Sequence, residues 1–255
     1  MSLVRIGSDP ETFLVDKAGK YISSVGLIGG SKDHPMSIGE GCFVQEDNVT
    51  VEFNTPPTSN QQEFVNAINY NLDWIRSRAA QLGLSVVYTP SAEFDKDQLT
   101  TAGALTFGCD PDFNAWDYGA ANPRPRSSNK ALRSAGGHIH IEAPDLDKLE
   151  LTKAMDLFVG APMLRFDTDS MRRSLYGKAG AFRPKSYGIE YRTASNAWLQ
   201  SDETKCWVFD QTQKAVEFVK SGKQIPDDLG ELIQRAINNS DLSLLDDIEH
   251  WGAAL

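Results

Sequence analysis

The chain has 255 residues and a formal net charge of −10 at pH 7, with a sequence pI of about 4.9. This acidic balance excludes a broad nucleic-acid or anionic-membrane footprint, and no run approaches the roughly 18 apolar residues of a membrane span. The length predicts one domain over residues 1–255, with C-terminal helices from about 203. The three cysteines form no Cys-x-x-Cys pair, which favours reduced thiols and a cytoplasmic location.

Acidic residues share one face of the first predicted strand. In residues 3–15, Asp9 and Glu11 are two positions apart and therefore project to the same side. Pro10 lies between them and has no N–H for a ladder, which predicts a sheet edge or a bulge. Residues 21–28 predict a second strand.

The clearest strand pattern covers residues 45–54. Its apolar side is interrupted only by Asp47. Its polar side consists of Glu46, Asn48, Thr50, Glu52 and Asn54. The alternation predicts that Glu46 and Glu52 point in the same direction.

A long amphipathic helix follows this strand. Ser59 and Gln62 have the spacing of a capping box. Apolar residues then recur in steps of three and four, at Phe64, Ile68, Leu72, Ile75, Ala79 and Leu82. Residues 85–88 predict a further strand.

Two polar stretches in the middle of the chain predict loops. Residues 107–116 form a turn-like segment that includes Cys109, Asp110 and Asp112. Residues 122–135 contain four basic residues, Arg124, Arg126, Lys130 and Arg133. A solvated surface and a contact with substrate both remain open for this basic loop, and Asp110 and Asp112 are further candidates for substrate contact.

Two of the four histidines lie in one short strand pattern at residues 136–142. His138, His140 and Glu142 share a face, while Ile139 and Ile141 pack behind them. Gly136 and Gly137 precede the strand and let a ligand approach the backbone. Taken alone, the pattern is equally typical of a strand whose polar face meets water.

The last third of the chain predicts helices around one more strand with a polar face. Asp147 begins a helix, and residues 172–185 form a basic, glycine-containing segment. In residues 187–194, Glu190 and Arg192 project to one side. Residues 203–221 predict an amphipathic helix, and two shorter helices follow between about 227 and 250.

The polar faces of these four strands predict a metal site if the strands share a sheet. Several carboxylates would then converge, and like charges a few ångströms apart repel unless cations or protons neutralise them. Carboxylate oxygens favour Mg²⁺ or Mn²⁺, and a histidine shifts the preference towards Mn²⁺.

The basic segment before Glu190 is suited to phosphate. Arginine makes bidentate phosphate contacts, and Gly177 and Gly180 would let the backbone approach a phosphate group. The spacing is not that of a P-loop. A flexible surface loop is the alternative interpretation.

Taken together, these motifs resemble the phage-encoded COOH-NH2 ligases, an amidoligase group within the glutamine synthetase fold. The resemblance spans residues 5 to about 210. It rests on six segments, at residues 7–11, 45–48, 51–54, 108–113, 137–140 and 176–192. It implies an α+β fold with a curved, mostly antiparallel sheet, helices on the convex side and a metal site in the concave face. A phage origin would make the location the host cytoplasm.

The resemblance also implies roles for individual residues. The metal ligands would be Asp9, His138 and Glu190 for one ion and Glu11, Glu52 and Glu46 for a second. His140 would contact the nucleotide phosphates, together with Lys178 and Lys185 of the basic segment. Arg192, with Arg173 or Arg183, would stabilise the transferring phosphoryl group. Asp9 stands where glutamine synthetase has a glutamate.

The function predicted in this way is ATP-dependent ligation of a carboxylate to an amine through an acyl phosphate, with Mg²⁺ or Mn²⁺. The substrates are a small molecule, a peptide or a peptidoglycan-like compound, with no nucleic-acid or membrane partner and with homo-oligomers possible. Three alternatives remain open, namely a metal-dependent hydrolase, a guanidino-kinase-like phosphotransferase, and a non-catalytic binding protein that keeps the fold.

Overall fold

The structure is a computed structural model, and it describes residues 4–105, 112–125 and 127–254. Cys109, Asp110 and Arg126, which belong to the predicted turn and basic loop, lie outside the described residues.

The strands in these ranges are β1 Arg5–Val15, β2 Tyr21–Ile22, β3 Met36–Gly39, β4 Cys42–Asp47, β5 Thr50–Asn54, β6 Ser85–Val87, β7 Ser91–Glu93, β8 Phe113–Asn114, β9 Ala120–Ala121, β10 Leu132–Ser134, β11 Gly137–Glu142, β12 Ala181–Lys185 and β13 Gly188–Tyr191. The helices are α1 Gln61–Gln81, α2 Ala102–Leu105, α3 Lys148–Met155, α4 Ser170–Leu175, α5 Asp202–Lys220, α6 Asp227–Asn239 and α7 Leu245–Ala254. None of the helices described is both long and apolar enough to cross a bilayer.

One large sheet organises the molecule. Its main path is β3-β4-β5-β1-β11-β13-β12-β8-β9, with β2 and β6 pairing to the end of β1. The paired strands run antiparallel throughout the described residues. β7 and β10 form a separate small pair. The predicted α+β class with a mostly antiparallel sheet is confirmed.

The hydrophobic core lies between one face of this sheet and helices α1, α3 and α5. Its fully buried strand residues include Val44, Val51, Phe53, Ile139, Ile141 and Ile189, and its helix residues include Phe64, Ile68, Leu72, Leu151 and Val208. Ile139 and Ile141 therefore pack behind the two histidines, as the alternation predicted. Burying one face leaves the polar positions of the same strands on the other.

The single strand predicted over residues 45–54 is wrong, because this stretch forms the β4–β5 hairpin. Asp47 pairs with Thr50, and Asn48 adopts a positive φ of 55° in the two-residue loop. Asparagine tolerates this left-handed conformation better than most residues. Gln45 pairs with Glu52, so these two side chains share a face, whereas Glu46 pairs with Val51. Glu46 and Glu52 consequently point to opposite sides of the sheet.

The strand predicted over residues 21–28 is confined to Tyr21–Ile22. The segment that follows instead wraps around the carboxylate of Glu46. The backbone N–H groups of Gly26, Ile28 and Gly29 donate to it at 2.8, 2.9 and 2.7 Å. These bonds replace the ladder that a strand would have made.

Pro10 does not lie at a sheet edge. It is inside β1, the central strand, where it pairs with Gly137 of β11 and is not among the residues paired with β5. The neighbouring even-numbered residues Ile6 and Ser8 direct their N–H groups away from β11. Since Pro10 has the same orientation, its missing N–H falls in the gap between β1 and β5.

The helix boundaries were predicted more closely than the loops. Asp147 caps α3 by accepting from the N–H groups of Leu149 and Glu150, as expected. For α1 the cap is Asn60, which accepts from Glu63 N, rather than Ser59. The basic segment at residues 172–185 is not one loop: it is divided between α4, a short glycine turn and β12.

Candidate functional site

The four strands with acidic, histidine or arginine faces lie side by side, in the order β5-β1-β11-β13. In the register of the sheet, Asp9 is opposite His138, Glu11 is opposite Glu52, and His140 is opposite Glu190. Cross-strand partners share a face. The convergence predicted from the sequence is therefore present in the structure.

Asp9, His138 and Glu190 form the first cluster. One possible ligand atom from each lies within 4.8 Å of the others. His138 Nδ1 is 3.4 Å from Asp9 Oδ1 and 4.0 Å from Glu190 Oε1. His138 and Glu190 are buried, with 6% and 1% of their surface exposed. These are oxygen and imidazole donors held close together, which is the chemistry of a small divalent-metal site.

Two buried polar atoms at this cluster have no aligned hydrogen-bond partner among the described residues. Asp9 Oδ1 and His140 Nε2 are 3.0 Å apart but are not aligned as donor and acceptor. An unsatisfied carboxylate oxygen in a buried position is costly and calls for a cation or a proton donor. The first cluster therefore fits Mg²⁺ or Mn²⁺ on its own geometry.

The charges of the first cluster are set by its neighbours. Burial opposes the ionisation of Asp9, but His140 and His138 outweigh it and hold the pKa of Asp9 well below its usual range. Burial likewise opposes the ionisation of Glu190, yet Arg192 and His138 lower its pKa to about 2. Burial, reinforced by Arg192, lowers the pKa of His138 to about 4. His138 is therefore neutral at neutral pH, which is the form that binds metal.

Glu11, Asp47 and Glu52 form the second cluster, again with possible ligand atoms within 4.8 Å of one another. Burial, followed by the charge of Asp47, raises the pKa of Glu11 to about 7. Burial is also the main cause of the raised pKa values of Asp47 and Glu52. The raised pKa values mean that the three carboxylates are not easily ionised together. A second cation bound between them would stabilise their ionised forms.

Three cations surround Glu190. Lys185 Nζ lies 2.7 Å from Oε2, Arg183 Nη1 lies 3.2 Å from Oε1, and Arg192 Nη1 contacts the same Oε1. Arg192 Nε also lies 3.6 Å from Asp112 Oδ2. Lys185, Arg183 and Arg192 thus bring three cationic side chains of the kind that bind phosphate oxygens next to the first cluster.

Three of the predicted site residues are not brought to these clusters. Glu46 binds the 26–29 turn on the opposite face of the sheet. Arg173 is buried in an ion pair of 2.8 Å with Asp167. Lys178 is exposed in the turn after α4, and no ion pair of its ammonium occurs within the described ranges. The structure thus separates Glu46, Arg173 and Lys178 from the other predicted ligands and cations.

Asp47 and Tyr187 were missed. Asp47 takes the place expected for Glu46, and the signal was its interruption of the apolar side of the 45–54 pattern. Tyr187 donates or accepts at His140 Nδ1 over 2.5 Å, with the two rings stacked at 6.0 Å. Its position just before the Glu190 strand could have indicated it. Asp112 is also present at the site, through its contact with Arg192.

Two cavities adjoin the clusters, one lined in part by His138 and the other by His140. One of about 80 Å³ lies beside Glu11, Asp47 and Arg192. The other, of about 380 Å³, is lined by His140 and Tyr187 and by residues of β1 and the segment after β5. The site therefore opens to two separate spaces.

One known family matches part of the chain. Residues 127–245 match the family model described as Phage phiEco32-like COOH.NH2 ligase-type 2. The match confirms the resemblance predicted from the sequence and covers a little less than half of the chain. It includes His138, His140, Glu190 and Arg192, whereas the acids of β1, β4 and β5 precede it. No curated protein matches the chain.

Several solved structures are similar over 96% of this chain. A bifunctional glutathione synthetase from Pasteurella multocida matches at 13% identity and a TM-score of 0.49, with 46% of its own length covered. A novel glutamine synthase homolog matches at 13% and 0.37, with 63% covered. A GmaS/ADP complex matches at 11% and 0.39, with 65% covered. The chain thus spans from about half to less than two thirds of the length of these structures.

Proposed function

We propose that this chain, whose residues 127–245 match the phage COOH-NH2 ligases, is an ATP-dependent ligase that joins a carboxylate to an amine through an acyl phosphate. The observation that carries the proposal is the pairing of two acid clusters, one partly buried and one half-buried, with three cations around Glu190. Acid clusters suit divalent ions, and the neighbouring cationic side chains suit phosphate oxygens. A ligase that transfers a phosphoryl group to a carboxylate needs both in one place.

Each cluster would hold one divalent ion. Asp9, His138 and Glu190 would hold the ion near the nucleotide phosphates, and the Glu11–Asp47–Glu52 cluster would hold the second, near the substrate carboxylate. Bound Mg²⁺ or Mn²⁺ would supply charge neutralisation of the phosphates and of the incoming carboxylate.

The larger cavity would take the nucleoside of ATP. It is lined by His140 and Tyr187, whose rings stack on each other at the edge of the first cluster. His140 would contact the phosphates from this side, while Lys185 and Arg183 would reach them from β12. The smaller cavity would admit the substrate carboxylate next to Arg192.

The reaction that this arrangement favours has two steps. A carboxylate oxygen attacks the γ-phosphorus, the bond from this phosphorus to the bridging oxygen breaks, and ADP leaves with the electron pair. The amine then attacks the carbonyl carbon of the acyl phosphate, which releases inorganic phosphate and one proton and leaves an amide. Arg192 is buried next to Glu190, which would hold the ion near the nucleotide phosphates. Its guanidinium would therefore be close enough to offset charge on the phosphoryl group during transfer.

A hydroxamate assay tests this proposal without knowledge of the amine. Hydroxylamine replaces the amine, and a panel of carboxylic acids is incubated with ATP, Mg²⁺ and the protein. We expect one or more acids to give hydroxamate and ADP in equal amounts, and Arg192→Lys to lower kcat by roughly 10²–10³-fold, the scale for one preorganised contact. Hydroxamate formed without ATP, or a stable phosphorylated product in its place, would reject the ligase in favour of a hydrolase or a phosphotransferase.

A further inference from the structure

Arg172 is a buried arginine whose guanidinium binds only backbone carbonyl groups. It lies in α4 with 2% of its surface exposed. Its Nε donates to Ala135 O at 3.1 Å and its Nη1 to Thr193 O at 2.8 Å. Its Nη2 donates to Arg192 O at 3.1 Å and to Ala194 O at 2.9 Å. Across the described part of the chain, no carboxylate pairs with it.

These carbonyls belong to the two chain segments that carry His138 and Glu190, two of the three residues of the first cluster. Ala135 directly precedes the Gly136–Gly137 pair and His138, and residues 192–194 directly follow Glu190 and Tyr191. A guanidinium that binds both segments fixes the distance between them. These segments adjoin His138 on one strand and Glu190 on the other, so their spacing bears on the separation of the two side chains.

The sheet alone does not fix this distance, because its register changes at this point. The β11–β13 ladder ends at the pair Ile139–Tyr191, whereas the next bridge joins Gly136 to Ser195. The bridge is one residue out of step with the ladder, so the 192–195 side contains an extra residue, as in a β-bulge. Three successive carbonyls, of residues 192–194, then turn towards one guanidinium. Buried carbonyls need donors, and Arg172 supplies them.

The turn after α4, at residues 176–180, packs directly against this guanidinium. A Cβ on Gly177 would overlap Arg172 Nη1 and lie 2.8 Å from Thr193 O, and Gly177 has a positive φ of 70°. Only glycine fits this approach. Gly177 therefore leaves the space that the Arg172 guanidinium occupies. The sequence had predicted instead that this glycine lets the backbone approach a phosphate group.

We propose that Arg172 is the positioning residue that sets the spacing between His138 and Glu190 and the direction of Arg192. It lines the smaller cavity and acts through the main chain, because its guanidinium donates to four backbone carbonyl groups. The neighbouring Arg173 provides the contrast, because it is equally buried in the same helix but pairs with Asp167, away from the site.

Conservative variants of both arginines test this role. Arg172→Lys keeps the charge and loses most of the four bonds, and Arg173→Lys is the matched control. Mn²⁺ binding is measured by calorimetric titration below each variant's unfolding range. We expect Arg172→Lys to raise the Kd of Mn²⁺ roughly 10–100-fold, the usual cost of losing support behind a ligand. Arg173→Lys is expected to lower the melting temperature with Kd nearly unchanged. Unchanged Kd in Arg172→Lys, or equal losses in both variants, would overturn the proposal.

The Mn²⁺ titration rests on the proposed function, because it requires a metal site. A second measurement needs no metal and therefore tests the role of Arg172 independently. In the metal-free protein, amide hydrogen exchange of Gly137, whose N–H donates to Ala194 O at 3.0 Å, should accelerate at least tenfold in Arg172→Lys and not in Arg173→Lys. Gly177→Ala, which displaces the guanidinium sterically, should give the same result if Arg172→Lys does not fold. Unchanged exchange at Gly137 would overturn the role of Arg172 even if the metal site is real. Absence of Mn²⁺ binding in the wild type together with accelerated exchange would reject only the metal site.

Discussion

Glu46 and Asp47 are adjacent acids with opposite tasks. The Glu46 carboxylate accepts three backbone N–H groups of the 26–29 turn, and Asp47 joins Glu11 and Glu52 in the second acid cluster. One residue of sequence separates a structural carboxylate from a candidate ligand, because successive side chains of a strand point to opposite faces.

Exchanging each acid for its amide separates these tasks. Glu46→Gln removes acceptors from a satisfied carboxylate, and we expect it to lower the free energy of unfolding by about 1–3 kcal/mol without changing Mn²⁺ affinity. Asp47→Asn should leave stability nearly unchanged or raise it, because it removes a repelling charge, and should weaken binding of the second Mn²⁺ on the order of 10–100-fold. Urea titrations and calorimetry of both variants provide the check. Loss of Mn²⁺ affinity in Glu46→Gln instead would contradict the assignment.

Asp156 is a buried acid that lies outside both clusters. It accepts from Trp116 Nε1 at 2.7 Å, Gly180 N at 2.5 Å and Tyr191 Oη at 2.7 Å. Despite these donors, burial raises its pKa from 3.8 to about 6. The folded state thus binds a proton more tightly at this position than the unfolded chain does.

The sign of the pH dependence follows from this raised pKa. Between about pH 4 and 6 the folded state holds more protons, so the contribution of Asp156 to stability falls as pH rises, by about 2–3 kcal/mol in total. Asp156→Asn cannot titrate. The difference in unfolding free energy between wild type and Asp156→Asn should therefore shift against the wild type as pH rises through this range, when followed by urea denaturation. A difference that does not vary with pH would contradict the raised pKa.

At the scale of elements, strand β12 rather than the glycine turn before it brings cations to the site. Lys185, at the end of β12, pairs with Glu190 at 2.7 Å, while Lys178 in the turn is exposed. The composition of the 172–185 segment could not distinguish these lysines, because the turn and the strand both contain basic residues and no acid.

The two lysines therefore make a matched pair of variants. Lys185→Met removes a charge that would contact the phosphates, and we expect the KM for ATP to rise roughly 10–100-fold, the equivalent of a charge-assisted hydrogen bond. Lys178→Met should change it by less than about twofold, as is usual for an exposed charge. ATP-dependent hydroxamate formation measures both. Equal effects of the two substitutions would mean that the turn, too, contacts the nucleotide.

The β4–β5 hairpin shows why sequence periodicity predicted the central strands but not this turn. Its two-residue loop, Asn48–Val49, lets the polar–apolar alternation run through without a break. Across such a loop, each odd-numbered residue of one strand pairs with an even-numbered residue of the other. Even-numbered polar residues before and after the loop therefore lie on opposite faces of the sheet. In β1, β11 and β13 no turn intervenes, and Asp9, His138 and Glu190 met as the alternation indicated.

At the scale of the whole molecule, the site is assembled from both halves of the chain. The family match at residues 127–245 contains His138, His140, Glu190 and Arg192. Three long-range pairings, between β1 and β5, β1 and β11, and β11 and β13, bring the acids of the first 52 residues to them. Side-chain types in each strand could be predicted locally, whereas the seating of Arg172 and the two cavities depends on tertiary packing that periodicity does not contain.

The most direct test of the ligase is the fate of the oxygen atoms of the substrate carboxylate. An acid that forms hydroxamate is labelled with ¹⁸O at both carboxylate oxygens and incubated with ATP, Mg²⁺ and an amine. An acyl phosphate route requires one ¹⁸O in each phosphate released and one in the amide, because the oxygen that attacks the γ-phosphorus leaves with it. Unlabelled phosphate from an active, amine-dependent reaction would contradict the mechanism.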